Sequence, residues 1–137
     1  MNGRHYFRQR VTKLAGSGAY TDVVFGPVLH DRFYQITRFA VEDETTAPST
    51  DIRVFVDGHG FNHYLLEQDS PAAATLYWES DPTFLTQGES LVARFTGPTL
   101  NDVLQLYVEG WWVEPVEGNP DAWWMMARLP AGEAPGA

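Results

Sequence analysis

The sequence predicts an all-β protein: an antiparallel β-sandwich, jelly-roll-like, with about eight strands and extended N- and C-terminal arms. Three observations carry that prediction. Aromatic residues make up 14% of the chain and stand among many Val and Thr residues, the types that fit a pleated, half-buried surface. Turn signals recur about every 8–14 residues, the spacing of sandwiches and barrels. No long window carries the 3.6-residue period of a helix. At 137 residues the chain has the length of one domain, and such a domain buries about two-thirds of its unfolded surface without staples.

The elements follow in order. The first strand is expected over residues 4–13, ending at the turn AGSG. YTDVVF (20–25) is the second, stopped by Gly26 and Pro27. RFYQITRFAVE (32–42) is the third and leads into the polar loop DETTAPST. In the fourth, DIRVFVD, Ile52, Val54 and Val56 alternate with Arg53, Phe55 and Asp57, a clean period of two. Asp57-Gly58-His59-Gly60 reads as a hairpin turn into the fifth strand, FNHYLLE (61–67). After the loop QDSPAAA, TLYWES (75–80) is the sixth. The seventh lies in DPTFLTQGESLVARFTG, with Leu91, Ala93 and Phe95 facing in and Val92, Arg94 and Thr96 facing out. The eighth is DVLQLYVEGWWVE (102–114), with Leu104, Leu106 and Val108 on one face and Gly110 as punctuation. Two facing sheets then bury Ile52, Val54, Leu91, Phe95, Leu104 and Leu106. The chain divides into an N-terminal arm or edge strand (1–13), a sandwich (14–116) and an aromatic segment with an extended tail (117–137). From Pro130 onward the composition is that of a linker.

The net charge is −9, but Arg4, Arg8, Arg10 and Lys13 all precede the first acid, Asp22. An acidic body repels phosphate, so no nucleic acid is expected as a partner. The basic stretch either meets an acidic partner or deters edge-to-edge aggregation. There is no cysteine, which removes disulfides, thiolate metal sites and cysteine nucleophiles. MNGRHYFRQRVTK lacks the apolar stretch of a secretory signal, and no apolar run approaches a membrane span of about 20 residues, so neither export nor a membrane is expected.

Sites for chemistry are sparse. Asp57, His59 and His63 have the residue types of a zinc site, but a hairpin turn does not hold them on one face. They read as exposed turn residues, with Gly58 and Gly60 supplying positive φ angles. Glu42, Asp43 and Glu44 fall beside a Thr- and Pro-rich loop where acids are ordinarily solvated, and Glu79 and Asp81 form a second acidic pair. No G-x-S-x-G elbow or phosphate-binding glycine loop occurs. No catalytic residue, metal or cofactor is expected, so the chain does not read as an enzyme.

The aromatic residues carry more. Trp111 and Trp112 are neighbours on the last strand and must point to opposite faces. Trp123, Trp124, Met125 and Met126 follow in a segment that ends in a Pro/Gly/Ala tail. Such a segment folds back over its own tryptophans, forms a protein interface, where Trp and Met are enriched, or stacks on sugar rings.

The stretches NGRHYFRQRVTKLAGSGAYT and SPAAATLYWESDPTFLTQGESLVARFTGPTLNDVLQLYVEGWW resemble β-sandwich virion proteins of tailed bacteriophages, above all capsid decoration or cement proteins. LTQGESLVARFTG followed by DVLQLYVEGW is similar to the strand–turn–strand end of such domains, and the resemblance spans residues 2–112. It implies a structural virion protein, made in the host cytoplasm and seated on the outer capsid surface. It also implies a homotrimer whose termini clamp the major capsid protein, with no catalytic residue or cofactor. The interface candidates are Arg4, Tyr6, Arg8, Arg10, Trp111, Trp112, Trp123, Trp124, Met125 and Met126. A carbohydrate- or receptor-binding module of a phage fibre or tail is the alternative, with a small β-sandwich enzyme third.

Overall fold

A computed structural model describes residues 4–29, 31–44, 49–58 and 60–114. They form nine strands and no helix: β1 (His5–Leu14), β2 (Tyr20–Phe25), β3 (Phe33–Asp43), β4 (Asp51–Asp57), β5 (His63–Asp69), β6 (Tyr77–Glu79), β7 (Thr83–Leu85), β8 (Ser90–Thr96) and β9 (Val103–Val113). The all-β antiparallel sandwich is therefore present. The expected seventh strand is two, because the turn through Gly88, at φ +83°, separates β7 from β8. The fifth strand begins at His63 rather than Phe61, since Gly58 and Gly60 at positive φ widen the hairpin tip.

The pairings are nested. β4 pairs with β5, β3 with β6 and β7, β2 with β8, and β1 with β9, all antiparallel. The strands are thus the two arms of one long hairpin, rolled up. Lateral pairings of β9 with β3 and of β8 with β4 close it into two sheets. One sheet runs β1-β9-β3-β6, with β7 also on β3, and the other runs β2-β8-β4-β5.

The core lies between the sheets. Ile36, Phe39, Val41, Leu104, Leu106 and Val108 come from the first sheet, and Val23, Ile52, Val54, Leu91, Ala93 and Phe95 from the second. The six core residues expected from the sequence are all fully buried. Phe95 and Leu106 lie in opposite sheets, so they fill one core from its two sides rather than along one sheet. Burial extends beyond the inward set. Phe55 and Val92 are cross-strand partners on the outer side of the second sheet, yet both are buried. The Tyr64 ring meets Phe55 edge-on at 5.4 Å, and the Arg94 guanidinium lies 5.3 Å from its centroid. Long amphipathic side chains cover what the strand period turns outward.

Gly110 does not end a strand; β9 runs through it to Val113. The register of β3 against β9 slips between Ile36, which pairs with Gly110, and Arg38, which pairs with Glu109, leaving a bulge at Thr37. A Cβ on Gly110 would overlap the Gln35 carbonyl oxygen and come within 3.0 Å of the Thr37 nitrogen. The glycine is there because two backbones approach closely at a bulge. Asp43 also departs from expectation: it is 1% exposed, not solvated. As the last residue of β3 it accepts hydrogen bonds from the Ser49 backbone nitrogen (3.1 Å) and hydroxyl (2.9 Å), tying the two ends of the intervening loop together.

Three measurements check this account. Phe95→Ala should cost about 3–5 kcal/mol and Leu106→Ala about 2–5 kcal/mol in denaturant unfolding, and unchanged midpoints would mean the register is wrong. Gly110→Ala should cost about 3 kcal/mol or more, although it deletes no contact, because the backbone across from it cannot yield cheaply. The third concerns pH. Burial pushes the Asp43 carboxyl up, Asp102 beside it pushes it further, and the Ser49 hydrogen bonds oppose both. The folded chain therefore holds this proton more tightly than the unfolded chain. Stability is lost as pH rises from the unfolded carboxyl value of about 4 through the folded value. Asp43→Asn keeps an acceptor for Ser49 and removes the titration, so it should flatten that slope and raise Tm at neutral pH. An unchanged slope would show that Asp43 is not the group responsible.

Candidate protein-binding surface

Register assembles a surface on the outer side of the first sheet. Across β1 and β9, Tyr6 faces Trp111, Arg8 faces Glu109 and Arg10 faces Tyr107. Across β9 and β3, Trp111 faces Gln35, Glu109 faces Arg38 and Tyr107 faces Ala40, and Ala40 faces Trp78 of β6. The bulge decides part of this set. Ile36 is buried in the core, and strict alternation would send Arg38 inward with it. The extra residue at Thr37 flips the parity, so Arg38 emerges beside Glu109 while Phe39 and Val41 return to the core.

Glu109 is the hub. Its Oε2 accepts from the Tyr6 hydroxyl at 2.9 Å and from Arg8 Nε at 3.3 Å, and its Oε1 lies 4.0 Å from Arg38 Nη1. Arg8 Nη2 also donates to the Tyr6 oxygen at 2.9 Å. Around the hub, cations lie on rings: Arg4 4.6 Å from the Trp111 centroid, and Arg38 5.1 Å from that of Trp78. Tyr6 meets Trp111 at 5.2 Å, close to edge-on. At the far end of the same face burial pushes the Glu42 carboxyl up, Glu44 adds to that, and a hydrogen bond with Tyr107 opposes it.

Trp111 and Trp112 take opposite faces, as adjacent strand residues must. Trp111 stays on the outer side and packs against Phe33, Phe84 and Val113, a small apolar cluster at the sheet end. Trp112 turns inward at the rim, stacked on His5 at 4.3 Å and covered by Arg32 at 4.0 Å. Neither is fully buried. The structure therefore brings Arg4, Tyr6, Arg8, Arg10 and Trp111 to one face and sends Trp112 to the other. Trp123, Trp124, Met125 and Met126 lie outside the described residues, as does His59. Among the described residues no group of three His, Cys, Asp or Glu is placed to hold a metal ion. Arg38, Glu109 and Trp78 belong to the face but were not singled out from the sequence. The parity flip that exposes Arg38 leaves no mark in its residue pattern.

The two outer faces differ in charge. On the second sheet Arg94 reaches both Asp22 oxygens, at 2.8 and 3.0 Å, and Arg53 pairs with Glu67 at 3.3 Å. Its row Asp22–Arg94–Arg53–Glu67 sums to zero. On the first sheet Arg8 and Arg38 flank Glu109, and Arg4 and Arg10 lie on the same face, four cations against Glu109 and, at the far end, Glu42 and Glu44, in a chain whose net charge is −9. The face is thus a locally cationic, Arg- and aromatic-rich patch, with Tyr6 at 49% and Trp78 at 56% exposure. That composition is the one enriched at the energetic centres of protein interfaces. No protein-family model matches the chain, and no curated protein shows detectable similarity to it.

Proposed function

We propose that this chain is a structural, protein-binding β-sandwich that docks through the outer face of the β1-β9-β3 sheet. Its proposed setting is the outside of a tailed-phage capsid, where it acts as a decoration protein, as a homotrimer bound to the major capsid protein. The observation that carries the reading is the cationic, aromatic patch around Glu109 on an otherwise acidic molecule. An acidic partner surface is steered to such a patch, and a matching one is rejected by the rest of the body. Two further features support it. Among the described residues β1 pairs only with β9, and its other edge offers backbone groups that a neighbouring chain can extend. The nested pairing, split between sheets 1-9-3-6 and 2-8-4-5, supports the jelly-roll form, a frequent architecture of capsid proteins.

The alternative, a carbohydrate- or receptor-binding module of a fibre or tail, has one observation in its favour: the exposed Trp78 ring. Arg38 already occupies one side of that ring, and the patch is charged rather than a row of bare aromatic faces.

The test is titration of purified protein onto undecorated capsids, with oligomeric state and melting recorded in parallel. Replacing Arg4, Arg8 and Arg10 with Ser should leave Tm within a few degrees, because Arg8 and Arg10 are exposed and Arg4 is only partly buried. It should weaken shell binding by about tenfold or more, and by more at low salt, where charge counts most. Binding indifferent to both salt and these changes would remove the docking role of the face. Saturable quenching of tryptophan fluorescence by oligosaccharides, with no shell binding, would favour the sugar reading instead.

A further inference from the structure

The docking face has a hollow in it. Ala40 stands in register between Tyr107 on β9 and Trp78 on β6, so a methyl group sits where its neighbours have rings. The result is an open depression of about 360 Å³ whose lining includes Arg8, Arg38, Ala40, Leu76, Tyr107 and Glu109. That volume suits a ligand of one or two residues rather than a large cofactor. The walls are of two kinds. Ala40, Leu76 and the Tyr107 ring are apolar, and at one end Glu109 holds two guanidinium groups, Arg8 at 3.3 Å and Arg38 at 4.0 Å.

Both arginines remain largely open to solvent, with side chains 76% and 49% exposed, whereas Glu109 is 25% exposed. Glu109 is engaged by both arginines and by the Tyr6 hydroxyl, so it serves as the strut that fixes the cations. The local sum is two positive charges against one negative. A single carboxylate balances that sum. A polyanion is disfavoured by the −9 charge of the whole chain.

We propose that this hollow receives a carboxylate side chain together with an adjacent apolar one, supplied by an acidic–apolar segment of the docking partner. The carboxylate bridges Arg8 and Arg38, whose planar forks match it. The apolar neighbour lies over Ala40 and Leu76 against Tyr107. This rests on the reading that the face docks a protein, and it adds what that protein must present.

The experiment uses the full chain and two probes differing in one charge, N-acetyl-leucyl-glutamate amide and N-acetyl-leucyl-glutamine amide, titrated by ¹H–¹⁵N NMR. The acidic probe should shift the Ala40 amide and Trp78 indole signals saturably, in the millimolar range. The neutral probe should bind at least fivefold more weakly, and 0.5 M salt should weaken the acidic one. Ala40→Leu fills the hollow, and Arg38→Ala removes half the clamp. Each should lower acidic-probe affinity at least fivefold, and Arg38→Ala keeps the test decisive if the larger side chain disturbs folding. Equal binding of the two probes, shifts centred elsewhere, or no binding would overturn the proposal. The capsid titration separates the two levels. If the Arg4/Arg8/Arg10 variant fails to bind shells while Ala40→Leu binds normally, docking through the face stands and the hollow's role falls. If neither change matters, the docking reading falls with it.

Discussion

The close approach of Gly110 to the bulge at Thr37 is the constraint on which the first sheet depends. The bulge is needed because β3 has to serve two faces with one chain. Ile36 fills the core on one side of it and Phe39 and Val41 fill the core on the other, while Arg38 is delivered outward between them. Only a residue without a Cβ lets β9 pass that point, since any side chain would meet the Gln35 carbonyl. The Thr37 hydroxyl then donates to the Glu109 carbonyl oxygen at 3.2 Å, pinning the extra residue against the strand that carries the hub carboxylate. One backbone contact thereby sets both the packing of the core and the geometry of the cationic face.

Charge placement follows from the same register. Arg8 and Arg38 come from the two strands that flank β9, and the carboxylate they share, Glu109, comes from β9 itself. Exposed ion pairs of this kind stabilise a fold only slightly, about 0–1 kcal/mol each. Their value is positional: Glu109 keeps long, otherwise mobile side chains in one arrangement. The second sheet uses arginine differently. Arg94 is bonded to both oxygens of Asp22 and lies 4.0 Å from the Tyr20 centroid, which closes that face over Phe55.

Much of the fold was legible because strand alternation is a local property. Ile52, Val54, Leu91, Phe95, Leu104 and Leu106 were assigned to the core from spacing alone, and all are fully buried. What alternation cannot reveal is a change of parity. The bulge at Thr37 depends on which strand lies opposite, where Gly110 stands 73 positions away, and no short window contains both. Asp43 was misread for a related reason. Its burial comes from Ser49 and from Asp102 far along the chain, not from the polar loop beside it. Of the proposed docking face, Arg4, Tyr6, Arg8, Arg10 and Trp111 were named from the sequence, but period two says only that Trp111 and Trp112 part, not which of them takes the outer face. Arg38, Glu109 and Trp78 join them only through cross-strand pairing. Trp123, Trp124, Met125 and Met126 fall outside the described residues.

The nested pairing also dictates an order of events during synthesis. Of the described strands a ribosome releases β1 before the others, yet its partner β9 spans Val103–Val113, so β1 is among the last of them to be satisfied. The pair that can form earliest is β4 with β5, whose ends are close in sequence. Closure then proceeds outward through β3 with β6 and β7, and β2 with β8, each step enclosing a longer loop and costing more chain entropy. Throughout translation the nascent chain therefore trails an unpaired ten-residue strand. Arg8, Arg10 and Lys13 along it are the kind of charge that keeps such a strand from joining the same strand on a neighbouring polysome. The same side chains that compose the mature surface thus place charge on the strand before that surface exists.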